Sequence, residues 1–263
     1  MGWSGVFASL LGQGNDSLAL DERAWQALME SPLFDGLSLE DRGRLRELAM
    51  KLLADKAFSG AGGAEVDAGM ATAIAAFAAL PVLNLGYGWY EGWNEIVVYP
   101  AEFVYEGEQM DEVGVVHHVR HARSGEAWEG GPMVLSWQDV EYSGQGEGFN
   151  VVIHEFAHKL DMKSGDANGR PPLHSGMDAQ AWADNFLSAY DDLCRRVDLG
   201  EETQIDPYAA ESPAEFFAVL TEYFFEAPDV LHEAYPEVYR QLMLFYLQDP
   251  LARLHRSGKV AAR

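Results

Sequence analysis

An α+β fold follows from three features of the 263-residue sequence. Short runs rich in β-branched and aromatic residues cluster mid-chain, helical apolar periodicity fills the segments on either side, and an apolar fraction of 48% is ample for a core. No internal repeat, long linker or composition break divides the chain. Residues 1–263 therefore read as a single domain, a small mixed sheet with several packed helices behind a loosely structured lead-in over about residues 1–20.

The elements follow in order. Helical patterns cover Glu22 to Met29 and Ser38 to Ala57, with Ser38 as N-cap and Asp41 at its third position. "SGAGGAE" breaks the chain before the run from Ala68 to Tyr90, which carries no charged side chain. That run is long enough to raise a membrane question, but its alanine and glycine content and its interruption by Pro81 and Asn84 predict a buried helix. "NEIVVYP" reads as a strand stopped by Pro100, "GVVHHVRH" as another and "PMVLSW" as a third. "VVIHEFAHKLD" opens a helical segment, "MKSGDANGRPPLHSG" is a loop, and an amphipathic helix runs from near Asp178 to about Val197. "ESPAEFFAVLTEYFF" introduces another helix, and a last one covers Glu237 to Leu247.

Charge and cysteine usage narrow the function classes. The formal charge of -24, from 18 basic and 42 acidic residues, repels nucleic acid and anionic membrane surfaces before any contact forms. No early basic region precedes an apolar stretch and cleavage site, and the single Cys194 has no disulfide partner within the chain. A cytoplasmic protein that engages neither membrane nor nucleic acid is the expectation.

Chemistry concentrates in "VVIHEFAHKLD". His154 and His158 stand four residues apart, so on an α-helix their imidazoles lie one above the other and can meet one zinc ion, Zn2+. Glu155 projects into a neighbouring sector, where it can take a proton from an activated water. Val151, Val152 and Ile153 bury the start of the helix. The metzincin continuation is missing: Asp161 stands where its glycine would be and Ser164 where its third histidine would be. Asp161 is in helical phase to orient a histidine, or it caps the helix end.

The better third ligand is Glu215 in "SPAEFFAVLTEYFF", because a carboxylate from a second helix completes a His2Glu zinc site. Ser212, Pro213 and Glu215 also make an N-cap, N1 and N3 pattern. Spacing alone leaves open whether the Glu215 carboxylate faces the backbone or the metal.

These two segments together resemble the Mlc titration factor A (MtfA) family of zinc-dependent, gluzincin-like peptidases. The resemblance extends through "NEIVVYP" and "GPMVLSW", covers about Trp25 to Tyr246, and in its metal segments is similar to the catalytic domain of anthrax lethal factor. It implies a zincin-like metallopeptidase domain, with His154, His158 and Glu215 as zinc ligands and Glu155 as the catalytic carboxylate. It adds Tyr208, seven residues before Glu215, as a phenol near the reacting carbonyl. The implied substrate is a peptide or protein. The alternative is a regulatory protein that binds and sequesters an Mlc-like transcriptional repressor, with peptidase activity secondary or absent.

Other polar residues are weaker candidates. His117, His118 and His121 include an alternating pair on a strand but lack a complete ligand set. His174 borders the cleft entrance or ends the Pro-rich loop. Glu222, two helical turns past Glu215, either supports the metal site or faces solvent. "GAGG" and "GQGEG" lack the strand-to-helix context and lysine of a nucleotide loop. "GPMVLSW" either offers an edge to a peptide backbone or is a fully paired interior strand.

Overall fold

The computed structural model describes residues 18–101, 103–110, 116–123, 125–127 and 130–258. The lead-in over residues 1–17 thus lies outside the described residues. Helix α1 (Glu22–Leu28) is capped by Asp21, and α2 (Leu39–Asp55) by Ser38, whose Oγ accepts the Asp41 N–H at 3.0 Å. Strand β1 (Ala57–Gly60) follows α2 directly, and α3 (Ala68–Ala79) carries the apolar run. Its residues from Ala71 to Ala79 are buried, and the chain turns at Leu80 instead of continuing as a helix to Tyr90. No helix among the described residues is long and apolar enough to cross a membrane.

The sheet is mixed and small, which agrees with the α+β expectation. Strands β2 (Glu95–Tyr99), β3 (Phe103–Met110), β4 (Val116–Arg123), β5 (Gly125–Ala127) and β6 (Met133–Ser136) follow in sequence. The order in the main sheet is β1-β2-β6-β5, with β1, β2 and β6 parallel and β5 antiparallel to β6. Strands β3 and β4 form a separate antiparallel pair. The "PMVLSW" segment is therefore not an edge. Val134 pairs with Val97 on one side and Glu126 on the other, and all four residues of β6 are buried, as expected for a strand paired on both sides. The edge beside it belongs to β5. Ser136 closes β6 and caps α4 (Trp137–Tyr142).

The remaining helices are α5 (Val151–Asp161), α6 (Ala179–Asp198), α7 (Pro213–Glu226), α8 (Pro228–Ala234), α9 (Pro236–Tyr246) and α10 (Pro250–Ser257). All eleven residues of α5 are buried, which is why a segment opening on three β-branched side chains is helical despite their modest propensity. It packs against α7, α3 and the edge strand β5. Phe156 anchors it among aromatic rings, with Tyr90 at 4.7 Å and Trp93 at 5.6 Å between centroids. Helix α7 is fixed from behind by Trp182, Phe186 and Phe245 against Phe216 and Phe217. Two helices that carry polar side chains toward each other are thus each held by an apolar back.

Candidate metal centre

Helix α5 starts at Asn150, whose Oδ1 accepts the Ile153 N–H at 3.0 Å. The four-residue spacing then sets His154 and His158 on one face, their Nε2 atoms 3.2 Å apart. Helix α7 starts at Ser212, whose Oγ accepts the Glu215 N–H at 3.1 Å, with Pro213 in the first turn. The Glu215 carboxylate turns to the imidazoles: its Oε2 lies 2.9 Å from His154 Nε2 and 3.4 Å from His158 Nε2. The N-cap and the histidine contact use different atoms of Glu215. The backbone of Glu215 is capped, and its side chain faces the histidine pair.

These three residues are the His, Cys, Asp and Glu cluster among the described residues whose donor atoms all lie within 4.8 Å of one another. The donor set fits a small divalent cation. Metal bonds of about 2.0–2.1 Å in a tetrahedron separate neighbouring donors by roughly 3.3 Å, and the three distances of 2.9, 3.2 and 3.4 Å bracket that edge. Electrostatics agree. Burial opposes charge on Glu215, and the hydrogen bonds and charge of the two imidazoles outweigh it, holding the carboxyl well below its ordinary range. Burial likewise opposes charge on His154, but Glu222 and Glu215 raise that imidazole well above its ordinary value. The cluster favours positive charge at its centre.

Glu222, left between support and solvent by the sequence, is buried, and its Oε1 lies 2.7 Å from His154 Nδ1. With the Nδ1 proton held on that contact, Nε2 is the ring nitrogen left to bind a cation placed between it, Glu215 and His158. Its Oε2 accepts the Asn150 N–H at 2.5 Å. His158 Nδ1, by contrast, is buried with no hydrogen-bond partner among the described residues.

Glu155 is buried and lines the same cleft of about 490 Å³ as both histidines and Glu215. Its carboxylate faces Gly125 on β5, where an added Cβ would fall 2.4 Å from Glu155 Oε1. One turn beyond, Lys159 lies over the Trp93 ring and donates to the Gly131 carbonyl at 2.9 Å. Burial pushes its ammonium down to about 8, against the pull of Glu155. Tyr208 also lines the cleft, in the 3-10 turn Pro207–Ala210 that Asp206 caps, with its ring centroid 6.1 Å from that of His154.

Several sequence candidates stand elsewhere. The Asp161 carboxylate accepts the N–H groups of Asn168, Gly169 and Arg170 at 2.6, 2.6 and 2.8 Å, so it fastens the following loop instead of orienting a histidine. Ser164 Oγ donates to the carbonyls of Asp161 and Arg170. His174 contacts the Phe245 carbonyl at 2.8 Å and Trp89, away from the cleft lining. His117, His118 and His121 fall on β4, and their side chains lie outside the described residues. Cys194 is half-buried, with Sγ 3.8 Å from the Ala210 carbonyl.

Comparison with known proteins adds to this geometry. The family model of the glucose-regulated metallo-peptidase M90 matches residues 14–247. The chain is 40% identical over 244 residues to the Mlc titration factor A of Cronobacter sakazakii, covering 92% of each protein. It is 40% identical over 236 residues to that of Escherichia coli O9:H4, covering 89% of each. With the Yersinia enterocolitica protein of that name it shares 42% identity over 235 residues, 88% of each. A match over most of the chain, together with a paired-histidine and glutamate cluster in one cleft, places this protein in the glucose-regulated metallo-peptidase M90 family.

Proposed function

We propose that the protein is a zinc-dependent peptidase that cleaves peptide bonds by Glu155-assisted attack of water. The observation that carries this reading is the convergence of His154 Nε2, His158 Nε2 and Glu215 Oε2 on one point of a cleft that Glu155 also lines. A zinc ion held by these three atoms supplies Lewis acidity for a scissile carbonyl and a nearby water. Glu155 accepts a proton from the attacking water and delivers it to the departing amine nitrogen, so the carboxylate is regenerated at the end of the cycle. Tyr208 donates a hydrogen bond to the oxygen on which negative charge grows during attack. The peptide backbone aligns along β5, the edge strand whose Gly125 lines the cleft.

Glu155→Gln tests the mechanism, because it removes the base while keeping side-chain size. Peptide turnover falls by at least about a hundredfold at unchanged zinc content. Equal turnover in a metal-verified variant overturns the mechanism.

The name of the curated relatives favours a second reading. A Mlc titration factor suggests a protein that binds and sequesters an Mlc-like transcriptional regulator. Tight binding of purified Mlc with no turnover of any peptide supports that role over the first, and turnover abolished by Glu155→Gln supports the peptidase without excluding the partner.

A further inference from the structure

The "GQGEG" segment, Gly144 to Gly148, is built like an anion cradle. All three glycines lie in the left-handed region, with φ of 85° at Gly144, 80° at Gly146 and 84° at Gly148. The anion it wraps is the protein's own. Glu226, at the last position of α7 and 4% exposed, accepts the Gly144 N–H at 2.9 Å and Asn150 Nδ2–H at 2.7 Å on Oε1. Its Oε2 accepts the Gly146 N–H at 2.8 Å. The helix that presents Glu215 from its first turn therefore grips the loop from its last.

What the grip positions is Phe149. Gly148 is pressed on the Tyr223 ring so closely that a Cβ would fall 2.6 Å from it, and Asn150 is buried at the start of α5. Between these two fixed points Phe149 stands 41% exposed and lines the metal-facing cleft, which Tyr223 and Val219 also line. A single exposed aromatic is unremarkable on an ordinary surface. Here the loop before it is tied to a buried carboxylate and its two neighbours are fixed by close packing and by a buried cap, so it presents a preorganised apolar face to the cleft.

We propose that Phe149 and Tyr223 form a subsite for a bulky apolar side chain of the substrate, and that Glu226 is the positioning residue that sets it by clamping the Gly144–Gly148 loop. The proposal rests on the peptidase reading of the cleft. It predicts that the clamp controls substrate affinity and leaves the chemistry alone, because Glu226 reaches the metal-facing helix only through the Asn150 side-chain amide, whose Oδ1 cap and backbone N–H bond to Glu222 do not involve Glu226. A purely structural Glu226 would lower the folded fraction without changing KM per zinc-loaded molecule.

The test uses the zinc-loaded protein and a peptide panel in which one Leu or Phe is moved a position at a time through an Ala and Gly background. Wild type favours the bulky residue at one position by roughly tenfold in kcat/KM. Phe149→Ala and Glu226→Gln each erase that preference by raising KM, at unchanged kcat and zinc content, and the double variant loses no more than either single one. Hydrogen exchange gives a readout independent of turnover: the Gly144 and Gly146 amides lose protection in Glu226→Gln and keep it in Phe149→Ala. Should Glu226→Gln fold poorly, Gly148→Ala displaces the same loop and reproduces the KM effect. A preference that survives both single variants, additive losses, or an effect confined to kcat overturns the subsite. If no peptide is turned over, calorimetric binding of the same panel still reads the preference. Preference in binding without turnover refutes the peptidase reading alone, and no preference in binding refutes the subsite.

Discussion

Glu222 Oε1 meets His154 Nδ1 at 2.7 Å, so helix α7 touches the first histidine on both of its ring nitrogens, with Glu215 on Nε2 at 2.9 Å. The two glutamates are seven residues apart, two helical turns, and one imidazole spans them. The first expected outcome concerns this pair. Glu222→Gln keeps the shape and removes the negative charge that makes Nε2 a strong donor, so zinc affinity falls about 10- to 100-fold while the fold persists. Competition with a chromophoric chelator measures it. Unchanged affinity would remove Glu222 from the site.

That relationship marks where sequence reasoning stops. The histidine pair was legible because a four-residue spacing has one meaning on a helix. Glu215 was legible only as one of two alternatives, and the structure turns its carboxylate to the histidines while Ser212 caps its backbone N–H. Glu222 was left open, since its burial depends on how α7 crosses α5 and no local pattern encodes that crossing. Its i+7 spacing from Glu215 was the available signal. Asp161 misled for a related reason: helical phase put it near His158, but three backbone N–H groups of a later loop claim its carboxylate.

Gly125 gives the second outcome. Gly125→Ala places a Cβ 2.4 Å from Glu155 Oε1 and 2.5 Å from its Cγ. The carboxylate is the movable partner, so it shifts within the cleft, and on the proposed mechanism that moves the base away from the water it activates. A displacement approaching 1 Å lowers kcat by about a hundredfold. Zinc content and melting temperature change little, because β5 is a three-residue edge strand. Steady-state kinetics beside zinc analysis decides, and full activity would mean that Glu155 has room to spare.

The Tyr208 hydroxyl supplies the third. The residue is 46% exposed, so Tyr208→Phe forfeits little burial and stability holds within about 0.5 kcal/mol. On the proposed role of the phenol as an oxyanion donor, its loss lowers kcat by about 10²–10³ with KM and zinc content preserved. A variant with wild-type kcat assigns the ring to cleft packing.

Glu226 supplies a pH dependence of stability. Burial pushes its carboxyl up to about 7 from an ordinary 4.5, opposed by donors from Asn150, Gly146 and Gly144 and reinforced by the charge of Glu222 one turn away. A carboxyl with a raised pKa binds more protons folded than unfolded between these values, so its contribution is whole below pH 4.5 and is lost as pH rises through about 7. The loss amounts to roughly 3 kcal/mol at ~1.4 kcal/mol per pH unit. Urea unfolding of wild type and Glu226→Gln across pH 4.5 to 8 reads it as a difference in slope. Parallel curves would show the carboxylate already ionised by its three donors.

The sheet was the less legible half of the fold. Strand β2 is marked by its β-branched residues and β6 by a short apolar run, whereas β1 and β5 hold four and three residues of ordinary composition and exist through pairing with distant partners. The placement of "PMVLSW" between two strands follows from β5, which local sequence did not announce, and so the edge was left unassigned. Helix α3 was legible in kind but not in length: the uncharged run to Tyr90 is buried helix only through Ala79, and the chain turns at Leu80, just before Pro81.

The end of α9 carries the last outcome. Leu247 is the non-glycine residue at positive φ among the described residues, at φ 53° and ψ 37°, in the position where helices commonly end on glycine or asparagine. The left-handed conformation costs a branched side chain about 1–2 kcal/mol. It is tolerated because Asn84 Nδ2 donates to the Leu247 carbonyl at 2.6 Å and Gln248 Nε2 to the Leu80 carbonyl at 2.8 Å, tying the turn after α3 to this point. The side chain itself is 52% exposed, so little burial is lost on replacing it. Leu247→Gly and Leu247→Asn therefore stabilise by about 0.5–1 kcal/mol, a rise of roughly 1–4 °C in melting temperature for a chain of this size. Leu247→Val, with branching at Cβ, destabilises instead. Since Leu247 does not line the cleft, kcat/KM is unchanged in all three. Calorimetry settles the order, and a destabilised Leu247→Gly would mean that the leucine contacts outweigh the backbone strain.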